Sequence, residues 1–335
     1  MVEIPSLSGE EATLAAYLVQ TMRTLGLESR VDEAGNAVGV AGSGPTEILL
    51  LGHMDTVPGR IPVRIEDGKL YGRGSVDAKG PLAAFVAAAA QVGAIPGKRI
   101  VVVGATEEEA ATSKGARHVA GGFTPDYCVI GEPSGTRAVT LGYKGRIVLA
   151  YEASTNVAHS ASKGGSVIEE GIEFWNRIKQ WADEYNGEKP MFDRLDPALR
   201  EIASANDGLT ESLTYRASIR IPLGLTPEVV QAQAEQLAPV SASLRFWGAD
   251  PPYRAEKNTP LVRAFLRAIR EQGLNPGFKL KSGTSDMNVV GPAWNCPILA
   301  YGPGDSTLDH TPNEHLDLAE YQRAIAVLTR VLRLL

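Results

Sequence analysis

Apolar positions along this chain gather first into short unbroken runs. Ile48-Leu49-Leu50-Leu51 and Ile100-Val101-Val102-Val103 carry no polar residue, which suits strands covered on both faces. Between them Pro81–Val92 is rich in alanine and reads as a helix. Strand, helix, strand is the unit of a parallel sheet wrapped by helices. Nearer the start, Leu14, Tyr17, Leu18 and Met22 recur at helical spacing. The Ser8-Gly9-Glu10-Glu11 segment ahead of them has the form of a capping box, so a helix is expected to about Leu25, with Gly26 at its C-cap.

The middle of the chain changes character. Arg146–Ala153 reads as a strand, and Ser166–Tyr185 as a long helix with Ile168, Ile172, Trp175 and Ile178 on one face. Leu213–Pro222 alternates like a half-exposed strand, Pro227–Leu237 is a helix opened by Thr226-Pro227, and Ala242–Trp247 is a further strand. That order, β-α-β-α-β, reads as a small α+β domain inserted at 144–256. After Pro251-Pro252 the first pattern returns: helix Pro260–Gln272, strand Pro297–Tyr301 and helix Leu318–Leu334. The expected fold is α/β, a mostly parallel sheet flanked by helices built from 1–143 and 257–335, interrupted by the insert.

Composition narrows the class. With 44% hydrophobic and 21% charged residues the 335-residue chain is ordinary globular material, which excludes disorder, collagen and coiled coil. Its net charge, 33 − 39 = −6, argues against a general nucleic-acid binder. Cys128 and Cys296 lie in apolar runs and read as buried free thiols. No window approaches 18 apolar residues, and the first residues lack a basic stretch followed by an apolar one. The expectation is a cytoplasmic protein with neither membrane nor nucleic acid as partner.

Chemistry-bearing residues stand just after the expected strands, where an open α/β sheet places its ligands. His53 and Asp55 follow Ile48–Leu51; Asp77 lies in a glycine-rich loop before the alanine-rich helix. Glu107-Glu108-Glu109 follows the Val101 run, Glu132 sits in Gly-Glu-Pro, and His310 in the late loop Asp309–His315. Singly, such a histidine is structural and such a glutamate run a solvated face. Together, converging carboxylates repel unless a divalent cation neutralises them. Two histidines and three carboxylates form a mixed N/O set suited to zinc, and one shared carboxylate would allow two ions. Rival motifs are missing. There is no His-Glu-x-x-His, His310…Glu314-His315 has the wrong spacing for its inverted form, and no Gly-x-Ser-x-Gly elbow, dinucleotide fingerprint, Walker A sequence or Cys-x-x-Cys occurs.

The segments Leu-Gly-His53-Met-Asp55, Gly-Arg-Gly-Ser-Val-Asp77-Ala-Lys-Gly, the acidic triplet, Gly-Glu132-Pro and the late His310 resemble, over essentially the whole chain, the di-zinc amidohydrolase and exopeptidase family. That family includes acetylornithine deacetylase, succinyl-diaminopimelate desuccinylase, aminoacylase and carboxypeptidase G. The resemblance implies two divalent ions, zinc with cobalt as the alternative. Asp77 would bridge them, His53 and Glu132 would complete one set, and Glu109 and His310 the other. It also implies Asp55 as the carboxylate that orients His53, and Glu108 as general base. A frame slipped back by one residue would make Glu107 the base and Glu108 the ligand.

For the insert the resemblance implies a lid and dimerisation domain. Asn156-Val157-Ala158-His159-Ser160 is similar to the family's lid histidine motif, whose imidazole stabilises the oxyanion, often from the other subunit of a homodimer. Arg220, in Ser218-Ile219-Arg220-Ile221-Pro222, matches an arginine that grips a substrate carboxylate. Ser285 and Asn288, in Ser282–Asn288, are further substrate-binding candidates. His118 and His315 are expected at the surface or in a supporting role. Gly-Ala-Thr-Glu-Glu-Glu, Gly-Glu-Pro-Ser-Gly and Tyr301-Gly-Pro-Gly-Asp-Ser look most like the branch that frees lysine from the C-terminal γ-glutamyl group of an acidic amino-group carrier protein, with ornithine as a second product, in lysine and arginine biosynthesis. Alternatives are an N-acyl amino acid deacylase, a dipeptidase or carboxypeptidase, and a non-catalytic metal-binding protein. Two departures stand out: Met287-Asn288 fills a slot where many relatives carry arginine, and the chain opens almost at Ile4-Pro5-Ser6, where relatives usually have another helix first.

Overall fold

A computed structural model describes residues 1–157 and 166–335. The chain forms two compact units, Met1–Gly142 with Arg254–Leu280 and Ser285–Leu335, and Tyr143–Tyr253 with Lys281–Thr284. The short segment Lys281–Thr284 had no place in the insert expected at 144–256.

The first unit runs α1 (Ala12–Thr24), β1 (Glu28–Val31), β2 (Ala37–Ala41), β3 (Thr46–His53), β4 (Arg64–Glu66), β5 (Lys69–Tyr71), α2 (Lys79–Val92), β6 (Lys98–Ala105), α3 (Lys114–Gly122), β7 (Tyr127–Ile130) and β8 (Ala138–Tyr143). The inserted strands and helices are β9 (Gly145–Asn156), α4 (Val167–Asn186), β10 (Asp196–Asn206), β11 (Thr210–Ile221), α5 (Pro227–Leu237) and β12 (Ala242–Asp250). The chain returns through β13 (Tyr253–Arg254), α6 (Pro260–Glu271), β14 (Gly277–Lys281), α7 (Met287–Ala293), β15 (Ile298–Ala300), β16 (His315–Asp317) and α8 (Leu318–Leu334).

The main sheet has the order β1-β2-β6-β3-β7-β15-β8-β13, with β14 against β8. Its centre, β6, β3, β7 and β15, is parallel, while β2 joins β6 and β8 joins β15 antiparallel. Ile48–Leu51 and Ile100–Val103 are fully buried, and burial of each such side chain is worth about 1.5–3 kcal/mol. Helix α2 buries Leu82, Phe85, Ala88 and Ala89 in the same core as Ala324, Val327, Leu328 and Val331 of α8. Helix α6 opens as its sequence demands: Thr259 Oγ1 accepts from Val262 N at 3.2 Å, with Pro260 in the first turn.

Helix α1 does not open as expected. Its N-cap is Glu11, with no side-chain cap bond, so the capping box is not formed; Ser8 and Glu11 bond elsewhere. At its other end Gly26, φ +91°, takes the left-handed position past the last turn.

In the second unit an antiparallel sheet, β10-β11-β9-β12, buries one face under α4 and α5. Ile147, Leu149, Tyr151, Phe174, Ile178 and Ile219 form its core, and the Tyr151 and Tyr215 rings stack at 4.6 Å. Ser166 caps α4, its Oγ accepting from Ile168 N at 3.1 Å. The expected β-α-β-α-β order omitted β10. From Arg200 to Asn206 this strand is exposed at every residue, so it carries no alternation to read; the backbone ladder to β11 defines it. Cys128 is buried and Cys296 only half-buried, both as free thiols. Among the described residues no helix is long and apolar enough to cross a membrane.

Candidate metal centre

The parallel strands deliver the site. His53 is the last residue of β3, the acidic triplet follows β6 by two residues, and Glu132 follows β7. Since β6, β3 and β7 are neighbours running the same way, their ends bring these residues to one edge. Asp77 comes from the turn before α2, and His310 from the loop between β15 and β16. The turn needs Gly74: its φ is +82°, and a Cβ there would lie 2.7 Å from Thr56 Cγ2.

Asp77 is the hinge of the cluster. Its Oδ1 lies 3.2 Å from His53 Nε2 and its Oδ2 3.0 Å from His310 Nε2, so one carboxylate faces two imidazoles. His310 Nε2 is also 2.9 Å from Glu109 Oε1, and His53 Nε2 is 4.0 Å from Glu132 Oε1. Two groups result, His53–Asp77–Glu132 and Asp77–Glu109–His310, each with its ligand atoms within 4.8 Å of one another. Both contain Asp77.

The charges are strongly coupled. Burial opposes a proton on His53, yet hydrogen bonds to Asp55 and Asp77 and the charge of Glu108 outweigh it, and the ring titrates well above its ordinary range. Bonds to Asp77 and Glu109 lift His310 to about 10 against partial burial. Burial favours a proton on Asp77, but hydrogen bonds from His310 and His53 hold it far below the usual carboxylate range. Glu108 goes the other way. Burial pushes it well up, His53 pulls against this, and the charges of Glu132, Asp286 and Glu109 add to the rise. Glu109 is raised too, by burial and by the Asp77 charge.

Asp55 sits behind this cluster, fully buried. Its Oδ1 accepts from Glu108 N at 3.0 Å and its Oδ2 from Glu109 N at 2.9 Å and Ser8 Oγ at 2.7 Å. His53 Nδ1 lies 3.3 Å from Asp55 Oδ1 and 3.0 Å from its backbone oxygen. One carboxylate therefore fixes a ring and two backbone N–H groups. Glu11 adds a parallel support, its Oε1 accepting from Gly9 N at 2.9 Å and Glu107 N at 3.0 Å. Glu107, at φ +59°, sends its own carboxylate outward to Thr112 Oγ1, 2.6 Å, and towards Lys114 Nζ, 3.8 Å. Ser8 and Glu11, expected to cap a helix, instead support the segments of the cluster; their partners lie 47 and 96 residues away in sequence, beyond any local signal.

The other candidates fall elsewhere. Ser285 and Asn288 are buried at the start of α7, where Ser285 N donates to Asn288 Oδ1 at 3.0 Å and Ser285 Oγ accepts from Met287 N at 3.2 Å. Arg220 belongs to the second unit and donates to Thr284 Oγ1. His159 lies outside the described residues. His118 stands 3.6 Å from both Asp32 and Glu33, and the His315 ring centroid lies 4.9 Å from that of Tyr71; neither joins the cluster.

The donor set fits divalent cations. Imidazole nitrogens and carboxylate oxygens suit zinc and its neighbours, and these acids raise the pKa of both histidines, a field that favours positive charge at this place.

The model of peptidase family M20/M25/M40 matches residues 49–334. The chain is 50% identical, over 99% of its length and 94% of the relative's, to the LysW-lysine hydrolase of Deinococcus radiodurans. It is 40% identical to a Thermococcus kodakarensis protein named as a putative LysW-lysine/LysW-ornithine hydrolase, over 99% of this chain and 89% of that one. Among solved structures it is similar to a tripeptidase from Staphylococcus aureus, TM-score 0.78 at 21% identity over 98% and 94% of the two chains. A metallo-carboxypeptidase from Sulfolobus solfataricus gives a TM-score of 0.78 at 18% identity over 98% and 96%. With a family match across most of its length and a site of shared carboxylates and imidazoles, the chain belongs to peptidase family M20/M25/M40 and is a hydrolase.

Proposed function

We propose that the protein hydrolyses the amide that holds lysine, and in a second use ornithine, on the C-terminal γ-glutamyl group of an acidic amino-group carrier protein, in lysine and arginine biosynthesis. The observation that carries the chemistry is Glu108, a half-buried residue whose carboxyl is raised by desolvation and by neighbouring acids, beside two donor groups that share Asp77. The substrate is taken from the relative named for LysW-lysine hydrolysis, half of whose aligned residues this chain shares.

In this reading His53, Asp77 and Glu132 would hold one divalent ion and Asp77, Glu109 and His310 the other, zinc in both positions with cobalt able to substitute. When bound, the ions supply Lewis acidity, polarising the scissile carbonyl and acidifying the attacking water. Glu108 takes the proton of that water and returns it to the departing amine, a general base turned general acid. A carboxyl lifted by burial suits both halves of that transfer. Asp55 keeps the His53 ring and the 108–109 backbone in register. His159 donates to the oxyanion, Arg220 grips a substrate carboxylate, and Ser285 and Asn288 act on the substrate side through the turn that carries Asp286. The reading includes a cytoplasmic homodimer, which sedimentation velocity would test.

The deciding experiment is release of free amino acid by the zinc-loaded protein from carrier-linked γ-glutamyl-lysine and γ-glutamyl-ornithine, N-acetylornithine, N-succinyl-diaminopimelate and unmodified dipeptides. Preference for the carrier conjugates is expected. Preference for a small acyl substrate or a dipeptide would overturn the substrate while leaving the chemistry, and turnover of none would overturn both.

A further inference from the structure

Glu314 takes no part in the ligand groups, yet its side chain is fully buried. Its Oε1 accepts from two consecutive backbone N–H groups, Val76 at 2.9 Å and Asp77 at 3.2 Å. Its Oε2 accepts from Arg73 Nη1 at 2.6 Å. Arg73 in turn donates through Nε to Gly59 O at 3.1 Å and through Nη1 to Thr311 O at 3.5 Å. The backbone closes the same seam: Gly72 N donates to Glu314 O at 3.3 Å, and His315 pairs with Tyr71. The loop that carries His310 and the turn that carries Asp77 are thus joined by one carboxylate and its arginine.

We propose that Glu314 is a positioning residue of the metal centre: by gripping the Val76 and Asp77 N–H groups from the His310 loop, it fixes where the shared carboxylate stands relative to that histidine. This rests on the reading of Asp77 and His310 as ligands. A carboxylate that must face two partners at once has little room to move, and in its glycine-rich turn the neighbouring backbone bonds, Ser75 N to Gly72 O at 3.0 Å and Lys79 N to Gly74 O at 2.9 Å, are made by other groups than the Val76 and Asp77 N–H that Glu314 holds. Glu314 supplies an acceptor for that backbone, and Arg73 supplies the charge that lets a carboxylate stay buried there. Groups that orient a ligand from behind are worth about 10–100-fold in metal affinity or activity.

The test separates reach from charge. Glu314→Gln keeps the length: its amide oxygen can still accept from both N–H groups, while its NH₂ faces Arg73 and gives up only that bond. Glu314→Asp keeps the charge beside Arg73 but withdraws the acceptor by one methylene. Metal-free protein of each variant would be titrated with Co²⁺, reading affinity and the visible absorption of the bound ion, with circular dichroism as the check on folding and Asp77→Asn as a control. Affinity for Co²⁺ should fall about 10–100-fold in Glu314→Asp, with a changed spectrum, and stay near the parent value in Glu314→Gln. A folded Glu314→Asp with parental affinity and spectrum overturns the proposal. So does a Glu314→Gln that falls as far as Glu314→Asp, since charge and not reach would then matter. If Glu314→Asp does not fold, loss of affinity in a folded Glu314→Gln still overturns it and parental affinity there supports it. Unchanged binding in Asp77→Asn would instead remove the ligand reading beneath it.

Discussion

Replacing Asp55 tests how much of the centre rests on one buried carboxylate. In Asp55→Ala two backbone N–H groups, those of Glu108 and Glu109, lose acceptors now at 3.0 and 2.9 Å. Each orphaned buried donor costs about 1–3 kcal/mol, so the variant should lose roughly 2–6 kcal/mol of stability. In Asp55→Asn the amide oxygen can serve only one side. Its NH₂ then meets either Glu109 N–H or Glu108 N–H, so one donor is orphaned and the loss is about 1–3 kcal/mol. His53 suffers less, because its Nδ1 also faces the Asp55 backbone oxygen at 3.0 Å, which neither substitution removes. The sign with pH follows from the folded carboxyl, which hydrogen bonds from His53 and Ser8 hold below its ordinary value against burial. Stability from the charged form is therefore complete above the ordinary carboxylate pKa of about 3.9 and is lost as pH falls through the lower folded value. Urea unfolding of parent and both variants at neutral and acid pH, read through circular dichroism, should rank them parent, Asn, Ala, with the gaps narrowing at acid pH by the part that rests on the Asp55 charge and the part that rests on orphaned N–H groups remaining. Asp55→Ala within about 1 kcal/mol of the parent at neutral pH, or gaps that widen as pH falls, would show that the Asp55 carboxylate does not hold these N–H groups.

Three further outcomes are expected. Glu108→Gln should lower kcat by about 10²–10⁴ while Co²⁺ absorption stays as in the parent; a change in metal binding with kcat intact would make Glu108 a ligand. Divalent metal uptake at neutral pH should release protons, from His310, lifted to about 10, and with it from the raised His53, so the calorimetric heat should change between buffers of different ionisation enthalpy; identical heats would contradict it. Glu11→Ala should cost about 1–3 kcal/mol and lower kcat through the Glu107–Glu109 backbone, and Glu11→Gln much less; a helix-capping role would instead leave kcat unmoved.

The parallel centre of the sheet was legible because Ile48–Leu51 and Ile100–Val103 are apolar at every position, and only a strand buried on both faces needs that. The placing of chemistry at the ends of those runs followed from the same rule. Strand β10 was not legible, since Arg200–Asn206 faces solvent and its existence is a matter of backbone pairing with β11. Ser8 and Glu11 show a different failure. Their spacing satisfies the capping box, and α1 does begin just after them, but Asp55 and the Glu107 N–H compete for the same oxygens. A local motif names groups able to bond and does not name the winner among distant partners.

Glu314 was hidden by the opposite effect. It lies in a loop rich in polar residues, between His310 and His315, where the natural question is whether it ligates; its burial with Arg73 and the 76–77 backbone is visible only in three dimensions. The four supports form a pattern. Asp55 holds the N–H groups of Glu108 and Glu109, Glu11 that of Glu107, Glu314 those of Val76 and Asp77, and Glu320 that of Thr136 at 2.9 Å, beyond Glu132. Each segment bearing an acid of the two donor groups thus has a backbone N–H held by a carboxylate from elsewhere in the chain. Anchoring with acids concentrates negative charge behind a cluster that is already acidic. Of that charge, Asp55 together with Asp77 and Glu108 raises the pKa of His53, while His310 is raised by its own partners Asp77 and Glu109. The anchors therefore act through geometry on the segments they hold, and Asp55 acts through charge as well, in a field that favours a divalent cation over a neutral ligand.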